Sequence, residues 1–388
     1  MEISACVKYV GVNDHQVDLF EGQYKVPNGM SYNSYMILDE KIAVMDTVDG
    51  FFTEEWLNNV EQVLDGKMPD YLIIQHMEPD HSASIPAFLK KYPKATVVST
   101  AKGFQFMEQF FPEFFAGQGL PAEQRIVAAN DGVLELGQHS LHFVYAPMVH
   151  WPEVMMTYEA TEKILFAADG FGKFGALDVE EEWTDEARRY YIGIVGKYGP
   201  QVQAVLKKAA GLDIWTICSL HGPVLKENLG FYLEKYDRWS SYQPEESGVV
   251  IAYTSVYGNT RNAAEYLADV LQEKGQKTVL YDLARCDKAK AVADAFRYDR
   301  LVLAGITYNG DLFPCMRSFI EGLTERNYQN RKVAIIENGT WAPMAGKLIL
   351  GMFEKSKNLT FTETTVSIKS AMNEQNKGEI GKLAEELC

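Results

Sequence analysis

His76-Met77-Glu78-Pro79-Asp80-His81 follows the apolar run Tyr71-Leu72-Ile73-Ile74 with only Gln75 between them. Four side chains able to bind a metal thus stand within six residues at the end of a buried strand. A strand end is rigid, and the loop beyond it lets neighbouring side chains point in different directions. Titratable groups are rarely gathered beside an apolar core unless something offsets their desolvation. The stretch reads as a metal site, with His76 and Glu78 directed to one ion and Asp80 and His81 to a second.

Working outward, three more ligand types sit just past short apolar segments, where the carboxyl edge of a sheet would place them. His150 comes after Leu141-His142-Phe143-Val144-Tyr145, and Asp169 closes Ile164-Leu165-Phe166-Ala167-Ala168. His221 follows Trp215-Thr216-Ile217-Cys218-Ser219-Leu220 and precedes Gly222-Pro223. Four imidazoles and three carboxylates suffice for two ions roughly 3.5–4 Å apart with one bridging carboxylate.

With these residues the chain resembles the flavodiiron proteins, whose first domain is metallo-β-lactamase-like. The family pattern is His-x-Glu-x-Asp-His, a later His, an Asp after eighteen intervening residues, and a final His. His76, Glu78, Asp80, His81, His150, Asp169 and His221 match it, and residues 151–168 keep the eighteen-residue gap. The resemblance implies that His76, Glu78 and His150 hold one iron and Asp80, His81 and His221 the other, with Asp169 bridging. The interval from Asp169 to His221 is short for the family, which implies a trimmed helical connection. Zinc hydrolases of this superfold carry His-x-His-x-Asp-His. Glu78 in place of the second histidine adds charge and a hard oxygen donor, favouring iron over zinc. His15, His139 and His142 are expected to be ordinary surface or structural histidines, the last two flanking a strand-like segment.

A second pattern begins after Ser241-Tyr242-Gln243-Pro244-Glu245-Glu246-Ser247-Gly248, where polar residues, Pro and Gly interrupt the periodicity. The expected domains are 1–247 and 248–388. In the first, Tyr35–Thr47 reads as a hairpin turning at Asp39-Glu40-Lys41, Thr53–Leu64 as a helix capped by Thr53, and helices follow near Pro86–Lys91 and Ala101–Phe110. In the second, Val249–Tyr253 is a strand leading into Thr254-Ser255-Val256-Tyr257-Gly258-Asn259-Thr260 and a helix from Arg261 to Lys274. A hydroxyl-rich loop at a helix N-terminus offers N–H groups and the positive dipole end to a phosphate. No lysine follows the glycine as in a nucleoside-triphosphate loop, so a monophosphate fits better. The loop resembles the FMN phosphate loop of flavodoxins. Two further strands lead into Thr307-Tyr308-Asn309-Gly310 and Asn338-Gly339-Thr340-Trp341, which would meet the flavin ring where strand ends converge. Tyr308 and Trp341 are the candidate stacking partners. The expected architecture is α/β, a metallo-β-lactamase-like αββα sandwich followed by a flavodoxin-like doubly wound parallel sheet.

Composition narrows the setting. The chain has 388 residues, 47% hydrophobic, with a formal net charge of −16. Residues 1–247 hold 19 basic and 36 acidic side chains, and residues 248–388 hold 18 and 17, so the balances −17 and +1 sum to −16. So acidic a body argues against nucleic-acid binding, and its near-neutral second half is where an acidic redox partner would approach. No apolar run reaches membrane-spanning length, and the first residues resemble no signal or transit peptide. Five scattered cysteines without a C-x-x-C pair point to a reducing cytoplasm and to no rubredoxin module within these residues.

The resemblance implies two non-haem irons and FMN as cofactors, and an electron count fixes the expected activity. Two ferrous ions and a reduced flavin together carry the four electrons that take O2 to two waters. Two NO molecules need only two to give N2O and water. Reduction of O2 is the favoured expectation and NO reduction the alternative; a zinc-dependent hydrolase is a remote one, as is an electron carrier with a vestigial metal domain. The implied donor is rubredoxin or an NADH-linked reductase, with reduced deazaflavin as another route. The implied assembly is a head-to-tail homodimer or a dimer of such dimers. Relatives offer a His-Gly-Tyr near the iron pocket; here Glu21-Gly22-Gln23-Tyr24 leaves Tyr24 as the candidate pocket donor and no counterpart for the histidine.

Overall fold

The computed structural model describes residues 2–115 and 120–388. They form two compact units, Met1–Tyr191 with Pro200–Asp237, and Ile192–Gly199 with Arg238–Cys388. The division therefore falls ahead of the polar Ser241–Gly248 stretch. Ile192–Gly199 joins the second unit because Tyr242 Oη accepts from Gly199 N (3.1 Å) and lies 3.3 Å from Lys197 O.

The first unit is a sandwich of two sheets. One contains, in spatial order, β1 (Val7–Tyr9), β2 (Tyr35–Ile37), β3 (Ala43–Met45), β4 (Tyr71–Ile73), β5 (Thr96–Ser99) and β6 (Arg125–Val127). The other runs β7 (Val133–Glu135), β8 (Ser140–Tyr145), β9 (Met155–Glu159), β10 (Ile164–Phe166) and β11 (Thr216–Cys218). Alternation sends Val7, Ile37, Met45 and Val98 from the first sheet, and Leu141, Phe143, Met155 and Phe166 from the second, into one buried core. Val44, Leu72 and Val97 on the opposite face are fully buried too, as both-face coverage of parallel strands requires. The β2–β3 hairpin pairs Tyr35 with Met45 and Ile37 with Ala43, which centres its turn on Glu40 as expected.

Helix Thr53–Leu64 buries Trp56, Val60 and Leu64 at a four-residue spacing, and Trp56 packs 5.7 Å from Phe88 of helix Ile85–Lys91. Thr53 is not its cap. A 3₁₀ turn, Gly50–Phe52, precedes the helix, and Asp49 caps that turn by accepting from Phe51 N. Both residues are good cap formers; the earlier one took the role, leaving the Thr53 hydroxyl to donate to Gly50 O at 2.9 Å. Helices Ile85–Lys91 and Ala101–Phe110 lie where the periodicity placed them.

The second unit contains β12 (Glu246–Tyr253), β13 (Thr278–Asp282), β14 (Tyr298–Tyr308), β15 (Arg331–Asn338) and β16 (Leu359–Ile368), all parallel in the order β13-β12-β14-β15-β16. That order reverses direction between β12 and β14, the switch point at which such sheets bind ligands. The helix after β12 spans Asn259–Glu273, two residues earlier than expected. Gly258 supplies its N-cap at φ 93°, so Asn259 and Thr260 belong to the first turn. Among the described residues no helix is long and apolar enough to cross a membrane.

Candidate metal centre and phosphate-loop pocket

Strand ends assemble the first site. His76 and Glu78 follow β4, and Asp80 and His81 lie in the short helix Pro79–Ser82. His150, Asp169 and His221 follow β8, β10 and β11. Their ligand atoms fall into two groups, His76, Glu78, His150 and Asp169 in one, and Asp80, His81 and His221 in the other.

Distances show what the groups are built to hold. His76 Nε2 lies 3.2 Å from His150 Nε2, 3.3 Å from Glu78 Oε2 and 3.2 Å from Asp169 Oδ2. His150 Nε2 is 3.0 Å from Glu78 Oε2 and 3.1 Å from the same Asp169 oxygen. In the second group, His81 and His221 Nε2 are 3.0 Å apart, and each is 3.3 Å from Asp80 Oδ2. The other Asp169 oxygen, Oδ1, lies 3.4 and 3.7 Å from these two imidazoles. Bonds of about 2.0–2.2 Å around one ion give ligand–ligand edges of about 3.3 Å. Both carboxylate oxygens of Asp80 and of Asp169 are buried without a hydrogen-bond partner. Orphaned acceptors ringed by imidazole nitrogens at that edge length fit two metal ions.

A second layer fixes the rings. His76 Nδ1 meets Glu153 Oε1 at 2.7 Å, and His221 Nδ1 donates to Ser31 O at 2.7 Å. Both bonds aim Nε2 inward. Asp46, fully buried after β3, accepts from Gln75 N (2.7 Å), Gln75 Nε2 (2.9 Å) and His76 N (3.3 Å), which pins the start of the ligand loop. Trp151 packs edge-on to His76, and Phe20, Tyr32 and Tyr190 surround His221. Glu153, Ser31 and Asp46 were not legible in the sequence.

The open side of the centre is marked by Glu78, Asp80 and His150, whose side chains keep 16, 10 and 8% exposure while the other four ligands keep 1% or less. Glu21, exposed on the turn between strands Leu19–Phe20 and Tyr24–Lys25, stands near it. Partial desolvation and the Glu78 charge raise its carboxyl to about 7. Tyr24 is buried with its ring 5.5 Å from Phe174, which packs on Tyr190.

Charge is unevenly held. Burial pulls the His150 imidazole down, but the Asp169 and Glu78 carboxylates 3.1 and 3.0 Å away outweigh it and hold the ring up at about 9. His76 is raised further, since the Asp169 charge and the Glu153 and Glu78 bonds overcome its burial. Burial opposes ionisation of Asp169, yet the His76 charge and the close approach of the His150 and His81 imidazoles hold it well below the carboxylate range. In the second group burial dominates, raising Asp80 and lowering His221.

The second site lies at the switch point of the parallel sheet. A cavity of about 560 Å³ is lined by Ser255, Val256, Tyr257, Asn259, Thr260, Thr307, Tyr308, Asn309, Gly310, Asn338, Gly339, Thr340 and Trp341, together with Ile306, Ala342, Met344 and Ser370. Thr254 and Gly258 do not line it: Gly258 shapes the loop, and Thr254 is buried with its Oγ1 unpartnered. Tyr257 and Trp341 are 93 and 90% exposed, so two large rings stand in water beside an apolar slot. Asn338 ties the loops together, its Nδ2 donating to Thr260 Oγ1 and Ser370 O. Thr307 Oγ1 accepts from Met344 N and Ala345 N, and so braces the neighbouring helix start. A helix N-terminus beside a hydroxyl-bearing loop and two exposed aromatic rings fit a flavin monophosphate.

Two family models match successive parts of the chain. Residues 30–222 match the family model "ODP family beta lactamase", and residues 250–358 match "Flavodoxin domain". An anaerobic nitric oxide reductase flavorubredoxin of Vibrio vulnificus is 28% identical over 86% of this chain and 69% of its own length. The flavodiiron protein of Giardia intestinalis superimposes with a TM-score of 0.87 at 26% identity, covering 100% of this chain and 96% of that one. The rubredoxin oxygen:oxidoreductase of Desulfovibrio gigas has the same fold, with a TM-score of 0.92 at 24% identity and coverage of 100 and 97%.

The chain belongs to the flavodiiron proteins. It is an oxidoreductase whose cofactors are FMN and a non-haem diiron pair. In this flavodiiron protein the raised imidazoles set the terms of metal uptake. Because His150 carries a proton below about pH 9 in the metal-free site, a ferrous ion must displace it. Loading the apo-protein anaerobically at pH 7 is expected to release at least one proton per chain. Apparent iron affinity should rise with pH toward 9, by about tenfold per unit for each proton displaced. Potentiometric titration measures it; uptake without proton release would contradict the charge distribution above.

The flavin pocket of this family member gives a second expectation. Asn259 lies in the first helical turn and lines the cavity, so Asn259→Asp sets a carboxylate beside the phosphate. Like-charge repulsion should weaken FMN binding at least about tenfold, read as flavin retained after gel filtration. Normal occupancy would place the cofactor elsewhere.

Proposed function

We propose that this flavodiiron protein reduces O2 to two waters, with electrons relayed through FMN to a diiron centre held by His76, Glu78, Asp80, His81, His150, Asp169 and His221. The observation that carries the reading is Asp169, one buried carboxylate whose two oxygens address two separate ligand groups. When bound, two irons and a flavin supply one- and two-electron chemistry, four electrons in all, which is the number O2 requires.

The chain's own residues do the placing. Glu153 Oε1 and Ser31 O hold the distal ring nitrogens of His76 and His221, so neither imidazole can turn away. Glu78, Asp80 and His150 form the side from which a diatomic substrate arrives. Glu21 sits on the exposed turn between strands Leu19–Phe20 and Tyr24–Lys25, close enough to that side to feel the Glu78 charge. Phe20, Tyr32, Tyr190 and Trp151 wall off bulk water around the rings. Tyr24 supports that wall through Phe174 and is the remaining candidate for a pocket donor. The loops at Thr254–Thr260, Thr307–Gly310 and Asn338–Trp341 take the flavin.

Reduction of two NO to N2O is the second reading, favoured by the name of the Vibrio vulnificus relative. A rubredoxin-type donor is favoured by the name of the Desulfovibrio gigas enzyme; an NADH-linked reductase or reduced deazaflavin are the other donors to try. The proposal extends to a cytoplasmic setting and to a head-to-tail homodimer that supplies one chain's irons from the other's FMN. Full activity in diluted monomers would remove the dimer from it.

The test is gas consumption by the purified protein, given excess reductant through a rubredoxin system, with O2 and NO supplied separately and iron and FMN quantified on the same sample. Fast, peroxide-free loss of O2 with slow loss of NO is expected. Preference for NO with stoichiometric N2O would reverse the substrate assignment.

A further inference from the structure

A third cluster of ligand side chains lies at the other end of the sandwich strands. Cys6 immediately precedes β1, His139 immediately precedes β8, and Glu162 occupies the turn between β9 and β10. Their ligand atoms all lie within 4.8 Å of one another. Strands β8 and β10 begin at this cluster and end toward His150 and Asp169, so the six residues of β8 alone separate it from the diiron ligands by about 20 Å.

The surroundings are those of a metal ligand set. Glu159, fully buried in β9, places Oε1 3.0 Å from His139 Nδ1. A carboxylate on one ring nitrogen orients the imidazole and leaves the other nitrogen for an ion. The same carboxylate accepts from Thr161 N at 2.9 Å and Glu162 N at 2.7 Å, fixing the turn that carries the third ligand. Asp39 Oδ2 takes His139 N at 2.7 Å from the opposite hairpin. The nearby cation, Lys8, is already engaged by Glu2 at 2.9 Å and by Ser4 O at 3.0 Å. Asp39, Glu159 and Glu162 therefore surround a thiol and an imidazole with net negative charge. Burial first, and then the Glu162 and Asp39 charges, raise the Cys6 thiol, an arrangement that a divalent cation would reverse.

We propose that Cys6, His139 and Glu162 form a zinc site separate from the diiron centre, with water as the fourth ligand. One thiolate, one imidazole and one carboxylate are the donor types zinc takes in four-coordinate sites, at about 2.3 Å for sulfur and 2.0–2.2 Å for nitrogen and oxygen. The thiolate favours zinc over magnesium or calcium, which prefer all-oxygen shells. The ion's effect follows from where its ligands come from. Cys6 leads into β1, the edge strand of the first sheet, whereas His139 and Glu162 sit on turns of the second. Zinc here clips the two sheets together at the edge remote from catalysis.

The experiment uses the full chain with its iron and FMN in place, equilibrated with Zn2+ and then gel-filtered. The expected result is one zinc per chain beyond two irons, and a thermal midpoint a few degrees above that of the zinc-free holoprotein. Zinc K-edge absorption should show one sulfur neighbour at about 2.3 Å. Cys6→Ser and His139→Gln should each lose the retained zinc and the thermal shift while keeping iron, FMN and gas consumption. Cys6→Ser is nearly isosteric, so it remains informative if His139→Gln disturbs Glu159. Absence of retained zinc in the wild-type chain, a shell without sulfur, or undiminished zinc in Cys6→Ser would each overturn the assignment.

Discussion

Asp169→Ala should leave fewer than one iron per chain and lower gas reduction more than about 100-fold, while FMN absorbance is unchanged. Removing a residue that merely orients a ligand typically costs 10–100-fold in metal affinity or activity, and Asp169 stands in both ligand groups. Its Oδ2 lies 3.1–3.2 Å from His150 and His76, and its Oδ1 lies 3.4–3.7 Å from His81 and His221. The alanine variant therefore leaves each ion a ligand short and removes the charge that separates four imidazoles. His221→Ala is the contrast, since it touches only the second group and should leave about one iron. The flavin pocket is built from β12, β14 and β15 and contains none of these residues. Two irons and normal turnover in Asp169→Ala would take this carboxylate out of the centre.

The second large effect is on stability. Asp46→Ala should cost roughly 3 kcal/mol or more, because it strands three donors, Gln75 N, Gln75 Nε2 and His76 N, in a fully buried place. The backbone adds to the loss. Asp46 has φ 53°, a left-handed conformation that Asp and Asn tolerate better than Ala. Asp46→Asn should retain part of the stability, since one amide oxygen still accepts, although its NH2 then faces the Gln75 amide. Denaturant unfolding of both variants, with iron content on the same samples, measures this. An unchanged midpoint in Asp46→Ala would mean that the loop carrying His76 is held by something other than this carboxylate.

Much of the metal centre was legible because its residues announce themselves twice, by chemical type and by place. His76, Glu78, Asp80 and His81 are consecutive ligand types after a strand, and His150, Asp169 and His221 each follow another. The phosphate loop was legible for a similar reason, Gly258 among hydroxyls between a strand and a helix. What supports these residues was not. Glu153 reaches back 77 positions to His76, and the Ser31 carbonyl reaches 190 positions to His221. A backbone carbonyl has no sequence signature, and a lone glutamate three residues past a ligand looks like any solvated one. Local competition misled at Thr53, where Asp49 lay near enough to begin a turn earlier. His139 flanks β8 as expected, with its ring buried against Glu159, whereas His142 lies inside the strand rather than beside it.

The sequence by itself pointed to the strand pattern, a change of pattern after residue 240, the seven candidate metal ligands and the loops that line the second cavity, because periodicity and residue type are local properties. Only the tertiary structure decided that Asp169 addresses both ligand groups, that Glu153 and Ser31 hold the rings of His76 and His221, and that Cys6, His139 and Glu162 meet. Those are distances between residues far apart in the chain. They are set by how two sheets pack across a shared core, and no run of neighbouring residues encodes that packing.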